Sequence, residues 1–416
     1  MKRIAIIIVL FFGVRCTMAQ MLGYREFISA VVENNQEYKA EQLNVPMSEA
    51  QLKASRSIGN PSLSVEYGNN SDWGIQMGQS LDIGVTQPIT FGVVAARKQV
   101  ARNEVAMASS NLEEYLLNMK AEATKGFLDA MLARDLTETA RQTYEQMKRL
   151  AEGDSLRYAK GDIAELDMLQ TRIEARMAKQ EYIASQAEYR NALVALDKMA
   201  GNPRRGTMGV SGELRNPGKD YSRGELIRLA MDKRPDLQSA RQAVTLAESQ
   251  GKLTKRERMP EAELSLGVSL NSRVRNEEAP APEFIGYTAG VSLPLPFSNA
   301  NKGSIRAAQM TVQQAKLQEE AMEKQVESEI MQAYNRYLLA QKNAETYTAE
   351  LIGDAETIMQ GRMYAYERGE TSLMEVINAQ RTYNEVRRSY AEAMHECMTA
   401  WVELQQCSGS IEEIEF

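Results

Sequence analysis

Two kinds of hydrophobic spacing divide the chain. Leu63, Val65 and Tyr67 alternate with Ser62, Ser64 and Glu66, and Leu81, Ile83 and Val85 alternate with Asp82, Gly84 and Thr86. Far downstream, Ala262, Leu264, Leu266, Val268 and Leu270 alternate with Glu261, Glu263, Ser265, Gly267 and Ser269. Ile285, Tyr287, Ala289, Val291 and Leu293 then alternate with Gly286, Thr288, Gly290 and Ser292. A period of two, with one apolar face and one small, polar or acidic face, predicts β-strands at about 61–68, 80–89, 260–270 and 284–295. Elsewhere apolar residues recur at three- and four-residue steps, as at Leu112, Leu116, Met119 and Ala123, which predicts helix.

The helical stretches are long. No proline occurs from about Val93 to Tyr158, where Gly126 and Gly153 are the breakers, or from Ser304 to Tyr366, where Gly353 and Gly361 are. Some 65 residues at 1.5 Å each make a helix roughly 100 Å long. Such a helix needs partners along its whole length. Lengths name them: a helix after Gly161 running to about Met199, plus a leading helix from about Tyr24 to Ser57, nearly sum to the first long one. Thr371 to Gln406 plus Arg223 to Glu257 balance Ser304 to Tyr366 in the same way.

The order helix, paired strands, long helix, turn, helix is therefore written twice, which identifies an internal repeat. Gly84-Val85-Thr86-Gln87-Pro88-Ile89-Thr90-Phe91 is replayed by Gly290-Val291-Ser292-Leu293-Pro294-Leu295-Pro296-Phe297. Tyr158-x-x-Gly161 with Glu165-Leu166-Asp167 is replayed by Tyr366-x-x-Gly369 with Leu373-Met374-Glu375. The expected division is repeat 1 over 20–201 (helical hairpin 93–200, tip near 161) and a linker at 202–222. Repeat 2 follows over 223–409 (helical hairpin 301–408, tip near 369), with a tail at 410–416. The fold class is mainly α with a small β part.

Composition narrows what such a chain does. Of 416 residues 43% are hydrophobic but only 6% aromatic, which suits long polar-faced helices better than one thick core. A net charge of −7 argues against nucleic acid as a partner, there being no basic excess to displace phosphate counterions. Lys2 and Arg3, the apolar run Ile4 to Gly13 and the small residues Thr17-Met18-Ala19 before Gln20 predict a cleavable signal peptide at 1–19 and export. Arg15 beside Cys16 argues against lipidation there. No later stretch reaches about 18 apolar residues, so any membrane crossing must use strands.

Each strand is the length of a tilted transmembrane strand. Four strands do not close a barrel, and an open edge is not tolerated in lipid, so copies of the chain must pool them. Three copies would give twelve strands around a polar lumen. Pro88, Phe91, Pro294 and Phe297 mark where each hairpin feeds a long helix, a place where a missing backbone donor is tolerated.

In this doubled frame the chain resembles the TolC-like outer-membrane factor family, the outer membrane efflux proteins. Its strand exits read Val-Thr/Ser-x-Pro-Ile/Leu-x-Phe and its tips Gly-x-x-Ala/Ser-x-Leu/Met-Asp/Glu. The resemblance implies a homotrimer whose twelve-stranded barrel in the outer membrane is continuous with a periplasmic α-helical barrel. It implies as partners a periplasmic adaptor (membrane fusion) protein and an inner-membrane pump of the RND type. The chain is more similar to the CzcC- or CusC-type metal efflux branch than to the secretion branch. The resemblance places a periplasmic aperture at Tyr366, Asp167, Gln170, Glu375 and Asn378, and adaptor contacts at Gly161, Asp162, Gly369 and Glu370. The family arginine two residues after the second tip glycine is Thr371 here, which implies a hydrogen-bonded lock in place of a salt-bridged one. Asp167→Ala is expected to raise conductance.

The competing reading is a periplasmic coiled-coil scaffold or adaptor without a pore. Catalysis finds no support. The sole histidine, His395, lies two residues from Cys397 on a different helix face, so the pair does not ligate one metal. No nucleophile elbow or phosphate loop occurs. The 23 methionines are scattered as core filler. Cys397 and Cys407 lie about 15 Å apart on one helix, too far for a disulfide. No cofactor is expected, and terminal Phe416 follows glutamates, not a strand pattern.

Overall fold

A computed structural model describes residues 21–72, 75–201, 209–258, 261–295 and 300–411. The signal peptide, Cys16, Phe297 and Phe416 lie outside the described residues. The chain divides into two compact units. Ala40–Leu116 and Ile227–Ser328 form one; the stretch ending at Lys39, Leu117–Leu226 and the stretch from Glu329 form the other.

The first of these contains a four-stranded antiparallel sheet in the order β1 (Ser62–Asp72), β2 (Ile75–Ile89), β3 (Ala262–Asn271), β4 (Phe284–Ser292). β1 and β2 pair at ten positions, with a bulge between Asn69 and Ser71. The alternation predicted an end at 68 and a restart at 80, and both strands run further. Pairing is a backbone property, whereas alternation records only where one face meets an apolar medium. β4 stops short of the predicted 295, since Pro294 has no N–H to offer a ladder. Pro88 pairs with Glu263 on β3, two residues past the last β1 partner, Thr86 opposite Ser62.

Helices supply the rest. α1 (Tyr24–Asn34), α2 (Gln36–Gln42) and α3 (Asn44–Ala54) stand where one leading helix was predicted. The side chain of Asn35 caps α2 by accepting from the Tyr38 N–H at 2.9 Å, and Asn35 itself is extended with ψ 122°. Pro46 then denies Gln42 its helical hydrogen bond and separates α2 from α3. The second repeat breaks at the same place. α6 (Arg223–Lys233) and α7 (Pro235–Arg256) meet at Arg234, whose ψ of 121° is what a residue before proline adopts.

α4 (Val93–Lys160) is unbroken, as its composition predicted. Its counterpart is not: α8 (Ala300–Thr346) and α9 (Ala349–Glu367) are separate helices. Thr348 is extended with ψ 157° and its hydroxyl accepts from the Leu351 N–H, an N-cap that competes with helix continuation. α5 (Glu165–Met199) and α10 (Leu373–Ser408) complete the two helical hairpins.

In the unit that holds the tips, the core gathers around Phe27, Phe127, Leu128, Met131, Leu196, Tyr337 and Leu404, all essentially buried. Residues 209–222 pack as a strap on these helices. Val210 forms a parallel bridge with Leu22, and its carbonyl accepts from Arg134 at 3.0 Å. Further along, the Tyr337 hydroxyl donates to the Lys219 carbonyl at 2.8 Å, and Trp401 Nε1 donates to the Tyr221 hydroxyl at 2.8 Å.

Candidate functional site

Two regions offer chemistry, one in each unit. The first is the sheet. Its register aligns the apolar positions in rows: Leu63, Val85, Leu266 and Ala289; Val65, Ile83, Val268 and Tyr287; Tyr67, Leu81, Leu270 and Ile285. In the single chain this face is bare, with Leu63 at 69%, Val291 at 74% and Tyr287 at 81% exposure. A contiguous apolar face of this size marks an interaction surface, not ordinary solvent contact. The other face carries Ser64, Gly84, Gly267 and Thr288 in one row and Glu66, Asp82, Ser269 and Gly286 in the next. Glu66 and Asp82 stand directly opposite each other. Like charges in that position destabilise a sheet unless water and counterions fill the space before them. Of the junction residues, Phe91 is exposed after β2, and Pro294 follows β4.

The second region is the pair of hairpin tips. Both turns have the same build. Gly161 N–H donates to the Tyr158 carbonyl at 2.9 Å and Asp162 N–H to Arg157 at 2.9 Å; Gly369 donates to Tyr366 and Glu370 to Ala365 at the same distances. These are Schellman closures, and they require the left-handed glycines Gly161 (φ 82°) and Gly369 (φ 75°). A Cβ at either would meet nothing within 4 Å, so its cost is purely conformational. Gly161→Ala and Gly369→Ala should each lose about 1–2 kcal/mol, read as a lowered thermal transition; no change would show that the tips tolerate another turn. Gly161, Asp162, Gly369 and Glu370 are all exposed, as a docking end would be.

Around the tips the structure gathers some of the residues named for the aperture and adds others. Tyr366 is 5% exposed and donates from its hydroxyl to Asp154 Oδ2 at 3.0 Å. Asp154 is 1% exposed. Its other oxygen accepts from Arg157 Nη1 at 3.4 Å, and the same guanidinium lies 5.1 Å from the Tyr366 ring centre. Burial pushes the Asp154 carboxyl above its ordinary pKa, and donors on Tyr366, Thr171 and Arg157 pull it back. Burial and the neighbouring Asp154 charge raise the Tyr366 phenol, keeping it a donor. Asp167 is half-buried in the first turn of α5, where its carbonyl accepts from Thr171 at 3.3 Å.

Glu375 sits in the first turn of α10, a place that favours a negative side chain. It accepts from Arg362 Nη1 at 2.6 Å and from the Thr371 hydroxyl. The Thr371 hydrogen bond is thus local to the start of α10, and a salt bridge from Arg362 stands beside it. Arg362 supplies the cation that the sequence lacks at 371. Gln170 donates to Met374 Sδ at 3.4 Å, tying α5 to α10, and Arg381 joins Glu174 at 3.2 Å between the same helices. Asn378 is exposed on α10.

Sequence reasoning missed Asp154, Arg157 and Arg362. One signal for them was available: Asp154 and Arg362 occupy the same place in the two copies, seven residues before Gly161 and Gly369. Seven residues is two helical turns, so each projects from the same face as its tip.

The chain matches the family model described as outer membrane efflux protein over residues 27–202 and 226–410. It is 22% identical over 321 residues to the cobalt-zinc-cadmium resistance protein CzcC of Cupriavidus metallidurans, covering 76% of this chain and 74% of that one. The solved structure of CusC shares the fold with a TM-score of 0.75 at 15% identity, over 95% of this chain and 96% of that one. The outer-membrane channel OprN shares it with a TM-score of 0.75 at 15% identity, over 93% and 89%.

Proposed function

The chain belongs to the outer membrane efflux protein family, and from that premise we propose a homotrimeric duct that passes metal cations across the outer membrane. It is a channel component and not an enzyme. Channels of this family act with an adaptor and an inner-membrane pump. For this chain the adaptor is assigned to the tips around Gly161 and Gly369, and the pump to the RND type.

The observation that carries the reading is the sheet, with an exposed apolar face and β1 and β4 as its two edges. The apolar face is matched to lipid. Within lipid an unpaired edge costs several kcal/mol per backbone group, so β4 of one copy must pair with β1 of the next. Three copies supply twelve strands, within the range of barrels wide enough to hold water.

The cation reading rests on the opposite face. Glu66, Asp82 and Glu263 all lie on the polar side, so three copies bring nine carboxylates to one lumen. Rings of carboxylates favour cations. The relative CzcC is a cobalt-zinc-cadmium resistance protein, in keeping with a divalent cargo. The purified chain in planar bilayers should conduct, with a reversal potential of the sign for cation preference under a salt gradient. Replacing Glu66 by Gln and Asp82 by Asn together should bring that potential toward zero. An unchanged potential would remove these acids from selectivity, and a wild type that never conducts would overturn the duct.

A further inference from the structure

Away from the tips, the unit that carries them holds a groove of about 460 Å³ walled by α4, α5 and α10. That is the size of a small-molecule site. Its floor is apolar, made by Met147, Ala178 and Ile377, all buried. Beside them lies Gln380, which is 3% exposed. Its Nε2 donates to Asn384 Oδ1 at 3.0 Å, and the Thr143 hydroxyl donates to the same oxygen at 2.9 Å. Those two bonds hold the Gln380 amide with its oxygen turned the other way, and no donor among the described residues reaches that oxygen. A buried acceptor without a donor is rare, and it is costly. At the rim Arg381 is taken by Glu174 at 3.2 Å, which leaves Glu181, exposed on α5, as the uncompensated charge of the groove.

We propose that this groove is a binding site for a small amphipathic organic cation, an alkylammonium whose N–H meets Gln380 Oε1 and whose apolar body lies on Met147, Ala178 and Ile377. Three features select that class. The open position is an acceptor, so the ligand must donate there, and a carboxylate has no hydrogen to offer it. Glu181 at the rim attracts a positive head group and repels a negative one. The floor takes hydrocarbon, which a metal ion lacks, and among the described residues no three carboxylate, imidazole or thiol groups gather to replace the water around one. The ligand is thus of a different class from the metal cations assigned to the duct, and the site stands whether or not the barrel conducts. An ammonium on a buried amide oxygen makes a charge-assisted bond where water competes poorly. Methionine or leucine would fill the place of Gln380 without leaving an oxygen open, so packing alone does not account for the amide.

The test titrates the full chain in one detergent with hexylammonium, hexanol and hexanoate, which share an apolar body and differ in the head group. Calorimetry reads the affinity, and identical micelles in wild type and variants cancel partition into detergent. Wild type should bind hexylammonium most tightly, hexanol more weakly and hexanoate not measurably. Gln380→Met, which keeps the volume and removes the oxygen, should weaken hexylammonium about ten-fold, the scale of one hydrogen bond to a charged group. Gln380→Glu, which keeps the shape and adds charge, should tighten it. Glu181→Gln should weaken it at low salt and leave it unchanged at high salt, since Glu181 is exposed. The elution volume checks that each variant is folded; should one aggregate, the head-group series in wild type and the other variants still decide. Equal affinity for the three head groups, wild-type affinity in Gln380→Met or weaker binding in Gln380→Glu would each overturn the proposal. So would a wild type with no saturable heat, which would mean that water or a second copy of the chain meets the Gln380 oxygen. A wild type that binds hexylammonium in this way but never conducts would overturn the duct and leave the groove in place.

Discussion

Val268→Arg is expected to keep the chain out of the outer membrane. Val268 lies in the middle row of the apolar face, between Ile83 on β2 and Tyr287 on β4, and three copies would place three arginines around the barrel. A cationic side chain near the bilayer midplane costs about 2–4 kcal/mol per site in a barrel. Over three copies that is about 6–12 kcal/mol, comparable to the usual net stability of a domain, about 5–15 kcal/mol. The matched control is Glu66→Arg, in the neighbouring row on the opposite face. It replaces a repulsive pairing with Asp82 by an attractive one and leaves the lipid-facing surface untouched. Outer-membrane fractions washed in high salt should lack Val268→Arg and retain Glu66→Arg, and the retained variant should conduct with weakened cation preference. Equal retention of both would show that this face does not meet lipid.

That contrast depends on a period of two, which is also why the strands were readable from sequence. Alternation is local: Leu63, Val65 and Tyr67 declare their face without reference to any distant residue. What joins the hairpins is not local. The pairing of Ile83 with Val268 follows only from the repeat and from the lack of any other partner for either hairpin. The long helices were legible as well, because composition suffices for helix and glycine marks both tips. Their interruptions were written in the sequence but outweighed by the helical spacing around them. Pro235 and Pro46 each remove a donor, and Asn35 competes for the Tyr38 N–H. Thr348 is the least visible of these, since a threonine in a run of helix formers reveals its capping role only when its hydroxyl is seen on Leu351.

The tip shows where sequence reasoning stops. The frame around Gly369 located Tyr366, Thr371 and Glu375, but it could not say what each would touch. Tyr366 and Asp154 are 212 residues apart, and their meeting depends on the rotational setting of α4 against α9. A change of one position on either helix would rotate the side chain by about 100° and lose the bond. Glu375 illustrates the same point by compensation. With threonine at 371, the nearest cation is Arg362, two turns before the tip, and the ion pair forms from the other side of the turn. The pair is half-exposed, so its worth is small, on the order of 0–1 kcal/mol. The pair also stays within the second hairpin, whereas the buried Tyr366–Asp154 hydrogen bond joins the two hairpins.

The second large effect is expected in the core, from Phe127→Ala. Phe127 on α4 is fully buried, stacked on Phe27 at 5.6 Å between ring centres, with Tyr24 edge-on at 5.6 Å. Truncating a buried phenylalanine costs about 3–5 kcal/mol, because the cavity it leaves is filled only in part. Here the cavity would open under α1, whose 11 residues are too few to hold a helix without tertiary support. The loss should therefore spread along the chain. Leu22, just before α1, bridges Val210, so the strap at 209–222 loses an anchor when α1 loosens. The expected results are a thermal transition lowered by about 10 °C and new protease cleavage near Asn35, where the backbone is already extended. Phe127→Leu should restore most of the transition, since leucine refills much of the volume without the ring contacts. A transition unmoved by Phe127→Ala would mean that α1 is held chiefly by its other contacts, the Tyr24 hydroxyl on Thr124 Oγ1 at 3.0 Å among them.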